Sequence, residues 1–102
     1  MKPTQEQIKE FWKWCGLHEV LASGGEYHWF EADEIISPTD DNHVPVVNLD
    51  NLFRWAVPKL SSKMAKYEVM YLLKDWIEDI TIFDKDPVLA LFWAIWKVIK
   101  EV

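Results

Sequence analysis

The sequence predicts a mainly α protein: a single domain over residues 1–102, built as a small bundle of about four helices. An irregular acidic insert carrying a β-hairpin signal lies between the first two helices. Three observations predict this. Apolar residues recur at helical spacing in four separate segments. Most of those segments are bracketed by residues that start or stop helices. The intervening stretch 17–51 lacks that period, holds Gly24-Gly25 and Ser37-Pro38-Thr39-Asp40-Asp41-Asn42, and carries the excess negative charge. A length of 102 residues suits one core, and a composition half hydrophobic with seven Trp excludes a disordered tail or a low-complexity linker.

The first helix is marked by Thr4 and Gln7 at capping-box spacing, with Pro3 just outside. Ile8, Phe11, Trp12 and Cys15 form one apolar stripe, and Gly16 is the expected stop. Trp14 lies about 100° or more off that stripe. Beyond it, Gly24-Gly25 separates Glu19-Val20-Leu21-Ala22 from Tyr27-His28-Trp29-Phe30, which is a hairpin pattern. Pro45 biases Val44 away from the helical region, so 44–47 should approach the second helix extended.

Asn48 is the expected N-cap of that helix, with Leu49, Leu52, Phe53, Ala56, Val57 and Leu60 on its core face. Pro58 cannot donate to the carbonyl of Arg54, so the helix should end or kink near Val57. The third helix is expected over 62–80, capped by Ser61 or Ser62. Ala65, Val69, Leu72, Leu73, Trp76 and Ile80 form its apolar side, and Lys63, Tyr67, Tyr71, Lys74, Asp75 and Glu78 the opposite one. Thr81-Ile82-Phe83 then reads as a short extended link. The last helix starts with Asp86 at N-cap and Pro87 at N1, and it is apolar on nearly every side to Val102. Such a helix is normally buried all round, either at the centre of the bundle or against a second copy, and a homodimer through 87–102 is expected. Leu52, Phe53, Leu73, Trp76, Phe92 and Trp96 are the expected core.

Several function classes lose support at once. One cysteine, Cys15, excludes a disulfide framework and a Cys-based zinc ribbon, and its place on the first stripe marks an inert buried thiol. No apolar run reaches the ~20 residues of a membrane span, and the polar start Met1-Lys2-Pro3-Thr4-Gln5-Glu6 lacks a signal-peptide core, so a cytoplasmic location and no membrane partner are expected. There is no Gly-rich phosphate loop, no GxSxG and no CxxC, and no enzymatic activity is predicted. Glu26, His28, Asp33, Asp40, Asp41 and His43 are possible metal ligands, but none has the spacing of a metal motif. The EF-hand pattern fails at Asp40-Asp41-Asn42 for want of alternation and glycine. No metal and no cofactor are therefore expected.

The formal net charge is −6 and it is not spread evenly. Residues 17–51 hold eight acidic side chains, no Lys or Arg, and all three histidines, His18, His28 and His43. Charge runs are often solvated faces that confer solubility. The sharper reading is a partner site. An acidic surface repels nucleic-acid backbones and attracts basic proteins, so no direct nucleic-acid contact is expected. Tyr27, Trp29 and Phe30 stand among the carboxylates as possible anchors. The candidate partner-binding residues are Glu26, Tyr27, His28, Trp29, Glu31, Asp33, Glu34, Asp40 and Asp41.

The run Asp86-Pro87-Val88-Leu89-Ala90-Leu91-Phe92-Trp93-Ala94-Ile95-Trp96, with Asn48-Leu49-Asp50-Asn51-Leu52-Phe53 and Ala56-Val57-Pro58-Lys59-Leu60, resembles small, functionally uncharacterised accessory proteins of phages and mobile elements. The resemblance spans about a quarter of the chain, is made of helix caps and core residues, and carries over no residue role. It implies a phage-type accessory protein, and with the acidic segment an inhibitor that binds a basic host defence protein. Two further readings stand beside it: a small-ligand or nucleotide-signal sponge with an aromatic pocket at an oligomer interface, and a metal-dependent enzyme.

Overall fold

A computed structural model describes residues 1–21, 24–25, 27–32, 34–36 and 44–101. Its architecture is four helices with a small antiparallel sheet between the first two, as the pattern of the sequence predicts. The residues cluster in two compact units, Pro3–Val46, and Val47–Val102 together with Met1–Lys2.

In the first unit, α1 (Gln5–Trp14) begins with the expected capping box. The Gln7 backbone N–H donates to Thr4 Oγ1 at 3.1 Å and the Thr4 N–H donates to Gln7 Oε1 at 2.9 Å. The helix closes as a Schellman motif around Gly16, whose φ of 96° suits glycine. The Leu17 N–H reaches the Trp12 carbonyl at 3.1 Å, the Gly16 N–H reaches that of Lys13 at 3.0 Å, and Leu17 is buried. Cys15 is half-exposed rather than buried, because the helix has ended before its turn of the stripe is covered.

The expected hairpin is present as β1 (His18–Leu21) and β2 (Tyr27–Glu31), with His18 opposite Phe30 and Leu21 opposite Tyr27. A third strand, β3 (Glu34–Ile35), pairs with β2, placing Glu31 opposite Glu34. Two residues are too few to show alternation, so β3 leaves no pattern in the sequence. Ala32 makes the turn into it with φ 53°, a left-handed conformation that costs a residue with a Cβ. Phe11, Trp12, Leu17, Trp29, Ile36, Val44 and Pro45 are buried in this unit. Trp12 Nε1 donates to the Pro45 carbonyl at 2.9 Å.

The second unit opens with α2 (Leu49–Asn51), capped by Asn48, whose Oδ1 accepts from the Asn51 N–H at 2.8 Å. The helix runs on without a break through a π-helical turn (Leu52–Ala56) into α3 (Val57–Lys63). Of the end or kink expected near Val57, the helix does not end there and is instead locally widened just before it. The Val57 N–H bonds to the Leu52 carbonyl five residues back, so the chain is locally wider just where Pro58 offers no N–H to Arg54. The wider turn also shifts the inner face. Leu52, Trp55, Ala56 and Leu60 are buried, whereas Phe53, expected in the core, is 42% exposed and lies against Trp76 with ring centroids 5.7 Å apart.

The third helix begins later than expected. Met64 and Ala65 are extended and α4 is Lys66–Thr81, with the Ala65 N–H donating to Glu68 Oε1 at 3.1 Å. Ser61 and Ser62 sit in the last turn of α3, and Ser62 Oγ donates to the Lys59 carbonyl instead of capping. Nor is 81–83 extended. Thr81 ends α4 with its hydroxyl donating to the Ile77 carbonyl, Ile82 is helical in conformation, and Asp84 turns the chain at φ 55°. Asp86 caps α5 (Pro87–Glu101) as expected, accepting from the Leu89 N–H at 2.9 Å. Trp76 Nε1 donates to the Pro87 carbonyl at 2.8 Å and so ties α4 to the start of α5. Leu91, Phe92 and Ile95 are buried, with the Phe92 and Trp96 rings stacked 6.1 Å apart. Leu73, Trp76 and Trp96 are half-buried. Among the described residues no helix is long and apolar enough to cross a membrane.

Candidate functional site

The sheet of the first unit carries the acidic candidates, and strand geometry sorts them. Residues directly opposite one another in an antiparallel pair share a face, and successive residues alternate. One face therefore holds Glu19 with Trp29, Leu21 with Tyr27, and Glu31 with Glu34. The other holds His18 with Phe30 and Ile35, and Val20 with His28.

Tyr27, Trp29, Glu31 and Glu34 thus come to one face, and His28 to the opposite one. Trp29 is fully buried, so its indole belongs to the core of this unit and is out of reach of a partner. Tyr27 is half exposed at the hairpin end. Glu31 and Glu34 lie at the far end, roughly 13 Å along the strand from Tyr27 at about 3.4 Å per residue. The sheet therefore gathers the two carboxylates and separates them from the tyrosine. Glu26, Asp33, Asp40 and Asp41 lie outside the described residues.

Two like charges directly opposite one another destabilise a strand pair. Glu31 and Glu34 are such a pair. Glu19, on the same face, is held by Lys9 of α1 at 3.7 Å, so one carboxylate of the acidic segment is balanced locally. Sequence pattern alone missed this pair, because only the strand register shows that Glu19 shares the face of Glu31. On the opposite face no carboxylate stands among the described strand residues. His18 stacks on Phe30 with centroids 5.8 Å apart, and Val20 and Ile35 are exposed.

One more polar group stands out here. Trp29 Nε1 is buried without a hydrogen-bond acceptor among the described residues. Such an orphan donor costs about 1–3 kcal/mol.

The second unit offers a cleft of about 560 Å³ lined by Met1, Asp79, Lys85, Asp86, Leu89 and Trp93. That volume is in the range of small-molecule sites, ~300–1,000 Å³. Its polar groups are already engaged. Lys85 Nζ lies 3.5 Å from Asp79 Oδ1, Asp86 caps α5, and Trp93 Nε1 donates to the Met1 carbonyl at 2.8 Å. Among the described residues no three His, Cys, Asp or Glu side chains come together as metal ligands.

Comparison with known protein families, with curated proteins and with solved structures finds no match.

Proposed function

We propose that the chain is a non-enzymatic binding protein whose acidic sheet unit docks a basic protein. The observation that carries this is the segregation of charge between the units. Pro3–Val46 holds nine acidic and two basic side chains, formally −7, whereas the remainder holds eight acidic and nine basic, formally +1. Such a field steers a positively charged partner and repels phosphate backbones. Glu31 and Glu34, directly opposite one another across β2 and β3, are described carboxylates of that unit. The finer reading, a phage-encoded inhibitor that acts on a basic defence protein in the cytoplasm of a host cell, rests on the resemblance of the helix caps and core.

Small-ligand binding is the second reading, and the cleft beside Trp93 is the observation that favours it.

Affinity capture from a bacterial lysate at low and high salt tests the first reading. The expected result is a basic protein retained at low salt, released at high salt, and lost when Glu31→Gln and Glu34→Gln are combined. Capture that is unaffected by salt and by these changes would contradict it.

A further inference from the structure

We propose that the open edge of β1 takes an extended, basic segment of the partner protein as an added strand of the sheet. This rests on the reading that the sheet unit docks a basic protein, and it names how that protein is held. The strands lie in the order β1-β2-β3, so β1 has a neighbour on one side only. One bond fixes which of its backbone groups face outward. The Ile36 N–H donates to the Trp29 carbonyl at 2.8 Å, so Trp29 turns its backbone groups toward β3. Successive residues of a strand turn these groups to opposite sides, so His28 and Phe30 turn theirs toward β1. Their partners in the register are Val20 and His18, which face β2 in return. Glu19 and Leu21 therefore direct their N–H and C=O groups away from the sheet, and among the described residues nothing bonds to them. Such a row of unpaired groups is a template for another strand. Lysine, proline and bulges commonly guard an open edge, and β1 holds none of these. Val20 and Leu21 are exposed there, by 43% and 57%.

Charge selects the occupant. Pairing β1 with that of a second copy would set one unit of formal charge −7 against another, whereas a basic segment is drawn to such a unit. The two faces of the edge then set the order of its residues. In an antiparallel added strand, the residues opposite Glu19 and Leu21 exchange backbone bonds with them, and the residue opposite Val20 turns its N–H to solvent. A Lys or Arg opposite Glu19 meets a carboxylate that still has room for it, since Lys9 Nζ stands 3.7 Å from Oε2, beyond hydrogen-bond distance. A Lys opposite Leu21 lays its apolar stem along that side chain. On the other face, the residue opposite Val20 meets an exposed apolar side chain with His18 beside it. The segment that fits alternates basic and apolar residues, and main-chain bonds hold it while its side chains give specificity.

Fluorescence anisotropy of the full chain with three short peptides of alternating Lys and Val tests this. One peptide is unmodified, one is N-methylated at every Lys, and one at every Val. They share sequence and charge and differ only in which side of the strand can donate. The unmodified and Val-methylated peptides should bind alike, and the Lys-methylated one about tenfold or more weakly, for the loss of two backbone bonds. On the protein, Leu21→Pro removes an outward donor at an edge position where proline is tolerated. It should weaken the unmodified peptide several-fold and leave the melting temperature near that of the parent. Should this variant not fold, the three peptides test the edge on the parent chain alone. Equal binding of all three overturns strand addition. If that equal binding still falls with salt and with Glu31→Gln and Glu34→Gln combined, the acidic docking reading stands without it. No binding by any peptide overturns both. Loss on methylating Val rather than Lys overturns the placement of a basic residue opposite Glu19.

Discussion

The two units treat the indole N–H of tryptophan differently. In the helical unit, the half-buried Trp76 and Trp93 each donate theirs to a backbone carbonyl, of Pro87 and of Met1. In the sheet unit, Trp12 does the same with Pro45, but the equally buried Trp29 has no acceptor among the described residues. The contrast extends to charge. The helical unit is nearly neutral, and its start signals at Asn48 and Asp86 act where they stand. The sheet unit is strongly acidic and holds Glu31 directly opposite Glu34. Each of these features costs stability that a fold of this size does not need to lose. Violations of local rules concentrate at functional sites. This asymmetry is what supports the proposal that the sheet unit carries a binding surface.

The largest test of the contrast lies within the helical unit. Phe92→Ala removes a fully buried ring and should cost about 3–5 kcal/mol. Phe53→Ala, at a half-exposed ring turned outward by the π-helical turn, should cost about 1 kcal/mol or less. Thermal melts of the two variants should differ by roughly ten degrees or more, at about 4–8 °C per kcal/mol for a domain of this size. Equal melts would mean that the π-helical turn does not set the inner face.

A smaller effect separates the two buried tryptophans of the sheet unit. Trp12→Phe deletes the donor to the Pro45 carbonyl and leaves that oxygen buried without it. Trp29→Phe deletes a donor that has no acceptor among the described residues. Both lose volume, so the difference isolates the hydrogen bond. Chemical denaturation should find Trp12→Phe the more destabilising by about 1–3 kcal/mol. If Trp29→Phe is the costlier, the orphan N–H has a partner in solution.

The smallest effect concerns the carboxylate pair. Glu34→Lys turns a like-charged cross-strand pair into an opposite one and should raise stability by about 0.2–1 kcal/mol. The same change should weaken association with a basic partner. A variant that loses stability would show that Glu31 and Glu34 are not neighbours across β2 and β3.

The sequence makes the helices legible because each is announced twice, by its period and by its cap. Thr4 with Gln7, Asn48, and Asp86 with Pro87 all act as their residue types suggest. What it hides is register. The π-helical turn at Leu52–Ala56 breaks the 3.6-residue count, so Phe53 turns outward and Trp55 inward. In the same way, the acidic segment shows its charge but not its faces. Only the pairing of β1, β2 and β3 shows that Glu31 and Glu34 are neighbours, that His28 points the other way, and that Trp29 lies beneath. On α4, Tyr67 and Tyr71 are visible on the polar side, and Met70 and Ile77 join them only once the helix is seen to leave them exposed.

The central claim is that the acidic surface of the sheet unit, rather than net charge alone, recognises a basic partner. Binding of a fluorescent lysine-rich peptide, measured by anisotropy across a salt series, compares two variants of equal charge. Glu31→Gln with Glu34→Gln removes two charges from the sheet, and Asp84→Asn with Glu101→Gln removes two exposed charges from the helical unit. The account predicts that the first pair lowers the affinity and flattens its dependence on salt, while the second leaves both close to the parent. Equal losses from the two pairs, or none from the first, would contradict it.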